Sequence, residues 1–127
     1  MSEIIVFGSV NLDLVVYLTR PPSKGETMEG KSFETFLGGK GANQAIASSR
    51  LGGKVSFMGT IGKDYFGDQV KEILLKEKID LNLIQSKQAS TGTAVINVFD
   101  DGENQITYIP GANNASKQEY ISDKQLE

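Results

Sequence analysis

The sequence predicts an α/β fold, a mostly parallel layered sheet carrying a small β-flap, on three observations. A short continuous apolar run at residues 4–7, with a glycine at its C-terminal end, has the length of a buried strand, and residues 55–59 read as the next strand. Two later segments repeat their apolar residues at helical spacing, one before and one after the second of these strands. A pair of β-branched and aromatic runs, 93–99 and 105–109, then reads as a hairpin. Strand and helix alternating, with extra β structure set apart, argues for helices packed on a sheet.

In chain order, residues 3–10 form the first expected buried strand, with Ile4, Ile5, Val6 and Phe7 at its centre and Gly8 at the end that commonly faces a ligand crevice. Residues 12–18 are again apolar and β-prone until Arg20-Pro21-Pro22-Ser23-Lys24-Gly25 breaks them, and residues 32–37 make a shorter strand. The Ala-rich segment 41–51 places Ala42, Ala45, Ile46 and Ser49 on one helical face, with Gly52-Gly53 as its stop. After the strand at 55–59, Asp64 is the expected cap of a helix whose Phe66, Val70, Ile73 and Leu74 fall at i, i+4, i+7 and i+8. The hairpin turns at Asp100-Asp101-Gly102-Glu103-Asn104. Ser116 with Glu119, and Ser122 with Gln125, have the capping-box form and predict a helix starting near the end of the sequence. The strands within 12–37 and 91–109 are expected to stand outside the main sheet as the flap.

At 127 residues, 39% hydrophobic and 23% charged, the composition fits one globular domain. A net charge of −3 without a basic run gives no electrostatic reason to expect nucleic acid or an anionic membrane as partner. No apolar run approaches the ~20 residues of a membrane span, and the first residues lack the form of a signal peptide, so a cytoplasmic location is expected. The chain has neither His nor Cys. That excludes Ser-His-Asp and Cys-His nucleophiles, disulfides and the common zinc sites, and no metal ligand set is expected. Any chemistry must rest on carboxylates, Lys, hydroxyls, amides and the backbone.

Two groups of residues carry such chemistry. Gly38-Gly39-Lys40-Gly41-Ala42-Asn43-Gln44-Ala45 places three glycines, a lysine and two amides where a loop opens a helix. Bare glycines admit close approach, free N–H groups at a helix start favour anions or oxygen-rich ligands, and an Asn amide both donates and accepts. The spacing matches neither the P-loop nor the Rossmann fingerprint, since Gln44 stands where a third glycine belongs. A plain turn with close helix packing accounts for the glycines equally well. In Gly8-Ser9-Val10-Asn11-Leu12-Asp13, Asn11 and Asp13 fall on one side of an extended chain and can grip adjacent hydroxyls, or can bond their own backbone as turn residues.

These two groups, with Ser90-Thr91-Gly92-Thr93-Ala94 and Gly111-Ala112-Asn113, occur in the order and spacing seen in ribokinases, and the chain resembles that family over essentially its whole length. The resemblance implies a ribokinase-like fold in truncated form and ATP-dependent phosphorylation of D-ribose, with Mg²⁺ and K⁺ as further requirements. It also implies roles. Asn11 and Asp13 hold the sugar hydroxyls, Gly39, Lys40 and Asn43 contact the other side of the sugar, and Ala94, Ile96 and Tyr108 line the flap above it. Pairing of flap strands between two chains is the homodimer it suggests. The family's general base is an aspartate in a Gly-Ala-Gly-Asp run, which these 127 residues do not contain, so no catalytic residue is assigned here and the chain alone is expected to be inactive. Another sugar or nucleoside kinase activity of the superfamily, such as deoxyribokinase or 1-phosphofructokinase, and a non-catalytic sugar-binding or dimerisation role, are the alternatives.

Overall fold

The computed structural model describes residues 3–116 and 123–126. Its elements run β1 (Ile4–Phe7), β2 (Asn11–Leu18), β3 (Ser32–Gly38), α1 (Lys40–Arg50), β4 (Val55–Gly62), α2 (Tyr65–Lys76), β5 (Ile84–Lys87), β6 (Thr93–Phe99), β7 (Asn104–Ile109), a 3₁₀ turn (Gly111–Ala115) and α3 (Asp123–Leu126). They form two sheets. A three-stranded parallel sheet has the order β1-β4-β5, and a four-stranded mixed sheet has the order β3-β2-β6-β7. Within the second sheet β2 pairs antiparallel with β3 and parallel with β6, and β6 and β7 make the hairpin.

Every residue of β4 is buried, as its central position between β1 and β5 requires. Its Phe57 and Ile61 pack with Val10 and Leu12, with Ala42 and Ala45 of α1, with Val70 and Leu74 of α2, and with Ile79. Alanines on the inner face of α1 let the helix lie close to the sheet. Each fully buried Phe, Leu or Ile contributes about 1.5–3 kcal/mol relative to leaving it exposed. Asp64 caps α2 by accepting from the Gly67 N–H at 2.8 Å, as its position before the apolar stripe predicts.

The sequence reading of 3–10 as a buried strand is corrected. Among the described residues β1 pairs with β4 on one side only, and Ile4, Ile5 and Phe7 are exposed. A continuous apolar run identifies a strand but not how many neighbours cover it. β5 was not anticipated, because Ile-Gln-Ser-Lys has no apolar run to mark it, yet its backbone adds in parallel to β4. The capping boxes at Ser116 and Ser122 involve residues that lie outside the described ones. Among the described residues no helix is long and apolar enough to cross a membrane.

Candidate sugar site

The pleat of the four-stranded sheet sorts the residues of β2. Leu12 and Leu14 turn towards the core, whereas Asn11, Asp13 and Val15 project from the opposite face. Register then aligns their neighbours. Asp13 stands opposite Phe36 of β3 and Ala94 of β6, and Ala94 stands opposite Tyr108 of β7. Phe36, Asp13, Ala94 and Tyr108 therefore form one row on one face, and the next row contains Val15, Ile96 and Ile106. Five of the eight residues singled out from the sequence, Asn11, Asp13, Ala94, Ile96 and Tyr108, share this face.

Of the remaining three, Gly39 and Lys40 lie at its edge and Asn43 follows within the first turn of α1. β3 ends at Gly38, which pairs with Asn11, and α1 begins two residues later at Lys40. Gly39 joins them with φ of 92°, a left-handed conformation that side chains resist, and a Cβ there would stand 2.7 Å from the Ser9 carbonyl oxygen. The start of α1 presses on the β1–β2 connection so closely that a Cβ on Gly41 would come within 2.8 Å of the Gly8 backbone. Ala42 N–H donates to Ser9 O at 3.1 Å and Asn43 N–H to Gly39 O at 2.9 Å. The N–H groups of Lys40 and Gly41 have no partner among the described residues. Lys40 and Asn43, one turn apart on α1, are exposed, and Lys40 makes no ion pair with a described residue.

Asp13 is the electrostatic centre of the arrangement. Its carboxylate is half-buried against Gly38, where any Cβ would collide with it, and burial pushes its pKa up. Oδ1 is buried with no hydrogen-bond partner among the described residues. Such an oxygen is an acceptor lacking a donor, and a bound hydroxyl would supply one.

Two residues of the site were not singled out as ligands from the sequence. Asn113, in the 3₁₀ turn, reaches across to the β1–β2 connection. Its Oδ1 accepts from Val10 N–H at 3.0 Å, and its Nδ2 donates to Val10 O at 3.1 Å and to Asn11 Oδ1 at 2.8 Å. Gly92 makes room for this, since a Cβ there would overlap Asn113 Nδ2 and lie 2.6 Å from Asn11 Oδ1. Their presence in short glycine-containing motifs was the only signal, because Asn113 lies 103 positions from Val10 and 102 from Asn11, separations that leave no local pattern.

A second polar knot supports the floor. Thr91 Oγ1 donates to Asp64 Oδ1 at 2.6 Å and accepts from Gly62 N–H at 3.0 Å, while Thr91 N–H donates to Asp64 Oδ2 at 2.9 Å. Burial pushes the Asp64 carboxyl up, but the hydrogen bonds from the Thr91 hydroxyl, Thr91 N–H and Gly67 N–H outweigh it and hold the group below the usual carboxylate range. This ties the end of β4 and the cap of α2 to the segment entering β6.

The family model for pfkB family carbohydrate kinases matches residues 1–127. The chain belongs to that family. It is 40% identical over 124 residues to the ribokinase of Lactococcus lactis, covering 97% of this chain and 41% of the relative. It is 43% identical over 116 residues to that of Haemophilus influenzae, covering 88% and 37%. The structure of Arabidopsis thaliana ribokinase complexed with ribose and ATP superposes with a TM-score of 0.88 at 36% identity, covering 98% of this chain and 41% of that one. The chain thus spans about two-fifths of the length of these relatives. The expected ribokinase-like fold is borne out by this similarity.

Proposed function

We propose that the chain is the sugar-binding part of a ribokinase, which in its full length transfers the γ-phosphate of ATP to ribose and yields ribose 5-phosphate. One observation carries the reading: Asp13, whose buried Oδ1 has no hydrogen-bond partner among the described residues, projects from a face shared with Asn11, Ala94, Ile96 and Tyr108, beside the Gly39–Lys40 start of α1. Asp13 accepts hydrogen bonds from sugar hydroxyls. Asn11, Lys40 and Asn43 donate to others, and the N–H groups at the helix start favour oxygen-rich ligands. Ala94 stands beside Asp13 as a small side chain, and Ile96 and Tyr108 supply apolar contact to the ring.

The nucleotide, ATP, and the Mg²⁺ and K⁺ of the reaction belong to the remainder of such a protein. Among the described residues no group of three His, Cys, Asp or Glu gathers where a metal ion could be held. This chain's residues bind and orient the acceptor, and transfer also needs a base and an anion site to stabilise the moving phosphoryl group. Phe36, Ile106, Tyr108 and Ile109 leave the four-stranded sheet apolar and exposed, which supports its use as a lid and as the dimer contact of a cytoplasmic enzyme. The test is a coupled kinase assay with ribose on a completed chain, residues 1–127 continued by the C-terminal part of the Lactococcus lactis ribokinase. Phosphorylation of ribose in preference to 2-deoxyribose and fructose 1-phosphate supports the reading, and preference for either of those replaces it.

A further inference from the structure

The amide of Asn113 has only one orientation open to it. Val10 N–H is purely a donor and Val10 O purely an acceptor, and both meet the Asn113 side chain, at 3.0 and 3.1 Å. The oxygen of Asn113 must therefore face the former and its nitrogen the latter. The second hydrogen on that nitrogen points to Asn11 at 2.8 Å, so the Asn11 atom receiving it has to be oxygen. Tyr108 Oη lies farther off at 3.4 Å, and with both hydrogens already committed its hydroxyl stays available. Asn11 is buried, and no described residue bonds its Nδ2.

We propose that Asn113 is a positioning residue that locks the amide of Asn11, so that Asn11 meets the substrate only as a donor. The orientation is passed from the backbone of Val10, through Asn113, to Asn11, with Gly92 leaving the necessary space. This rests on the sugar-site reading. It deepens that reading by making Asn11 and Asp13 a fixed pair, the first donating to one hydroxyl and the second accepting from its neighbour. A vicinal diol, in which one oxygen accepts and the next donates, is the chemical pattern that such a pair selects.

The lock is tested without sugar by hydrogen exchange of the side-chain amides, followed by NMR in the chain as it stands. The Asn113 amide should exchange at least about tenfold more slowly than that of exposed Asn82, as expected of a group held in hydrogen bonds. Exchange as fast as Asn82 would overturn the lock. Its consequence is tested in the completed chain with Asn113→Asp, which keeps the acceptor for Val10 N–H but removes the donor, so that Asn11 turns its nitrogen away from the sugar. Ribose KM should rise about tenfold, with ATP KM unmoved, and the rise should vanish in an Asn11→Ala background. Equal effects of Asn113→Asp with and without Asn11 would overturn positioning through Asn11. Ribose KM unmoved by Asn11→Ala alone would remove Asn11 from the sugar site, and this consequence with it, while the exchange measurement still decides the lock.

Discussion

The carboxylate of Asp13 lies against the α-carbon of Gly38, the last residue of β3, so closely that no side chain can stand there without displacing it. The pairing of Asn11 with Gly38 sets this contact by register. Gly38 thus serves the site through what it lacks.

Gly38→Ala in the completed chain should therefore push the carboxylate out of place and raise ribose KM by at least about tenfold, the loss of roughly one charged hydrogen bond. ATP KM should not change. Steady-state kinetics with each substrate varied in turn checks this, and equal effects on both substrates would mean that the substitution damages the fold instead.

Burial pushes the Asp13 carboxyl above its ordinary range, so the folded chain holds this proton more tightly than the unfolded one. Stability at this residue is therefore greatest below the ordinary value and declines as pH rises through the raised one. Sugar binding runs the other way, because only the charged form accepts from two hydroxyls. Ribose affinity should fall on acidification at a higher pH than an ordinary carboxylate would give, and Asp13→Asn should abolish that limb. A pH profile of ribose KM for both proteins decides it.

Asp64 is the opposite case, held below the usual range by hydrogen bonds that outweigh its burial. Its contribution is present above the ordinary carboxylate value and is lost as pH falls through the depressed one. Asp64→Ala should cost about 1–2 kcal/mol near neutrality, the worth of a lost helix cap. The difference from the parent should shrink in acid. Denaturant unfolding of both at the two pH values measures it.

Much of this was legible in the sequence, and what was not has a common cause. The strands other than β5, together with α1, the Asp64 cap and the hairpin, follow from local patterns, because apolar spacing and turn chemistry act over a few residues. Asn11 and Asp13 could be placed on one side of a strand by alternation alone. That Ala94 and Tyr108 share their row depends on pairing between distant strands. So does the reach of Asn113 to Val10, 103 positions away. The exposure of Phe7 likewise depends on which strands lie beside β1, and its own apolar run carries no information about that.

Residues 1–127 alone should not phosphorylate ribose, because they carry the proposed sugar ligands but not the Gly-Ala-Gly-Asp run expected to supply the general base. The carboxylates available as substitutes have other work: Asp64 is a cap, and Asp101 accepts from Glu103 N–H in the hairpin turn at 2.9 Å. A coupled assay with ATP, Mg²⁺, K⁺ and ribose, run beside the completed chain, should give no turnover above background. Turnover within tenfold of the completed chain would locate a base among these residues.

The most direct test of the sugar site is the ribose KM of Asp13→Ala and Asn43→Ala in the completed chain, measured together with the ATP KM. Each substitution removes a proposed hydrogen-bonding partner of a bound hydroxyl and should weaken ribose binding by about 1–3 kcal/mol, roughly 5- to 150-fold, while ATP KM stays within about twofold. A ribose KM that is unchanged in either variant would contradict the assignment of that residue to the sugar pocket. Unchanged values in both would contradict the site as a whole.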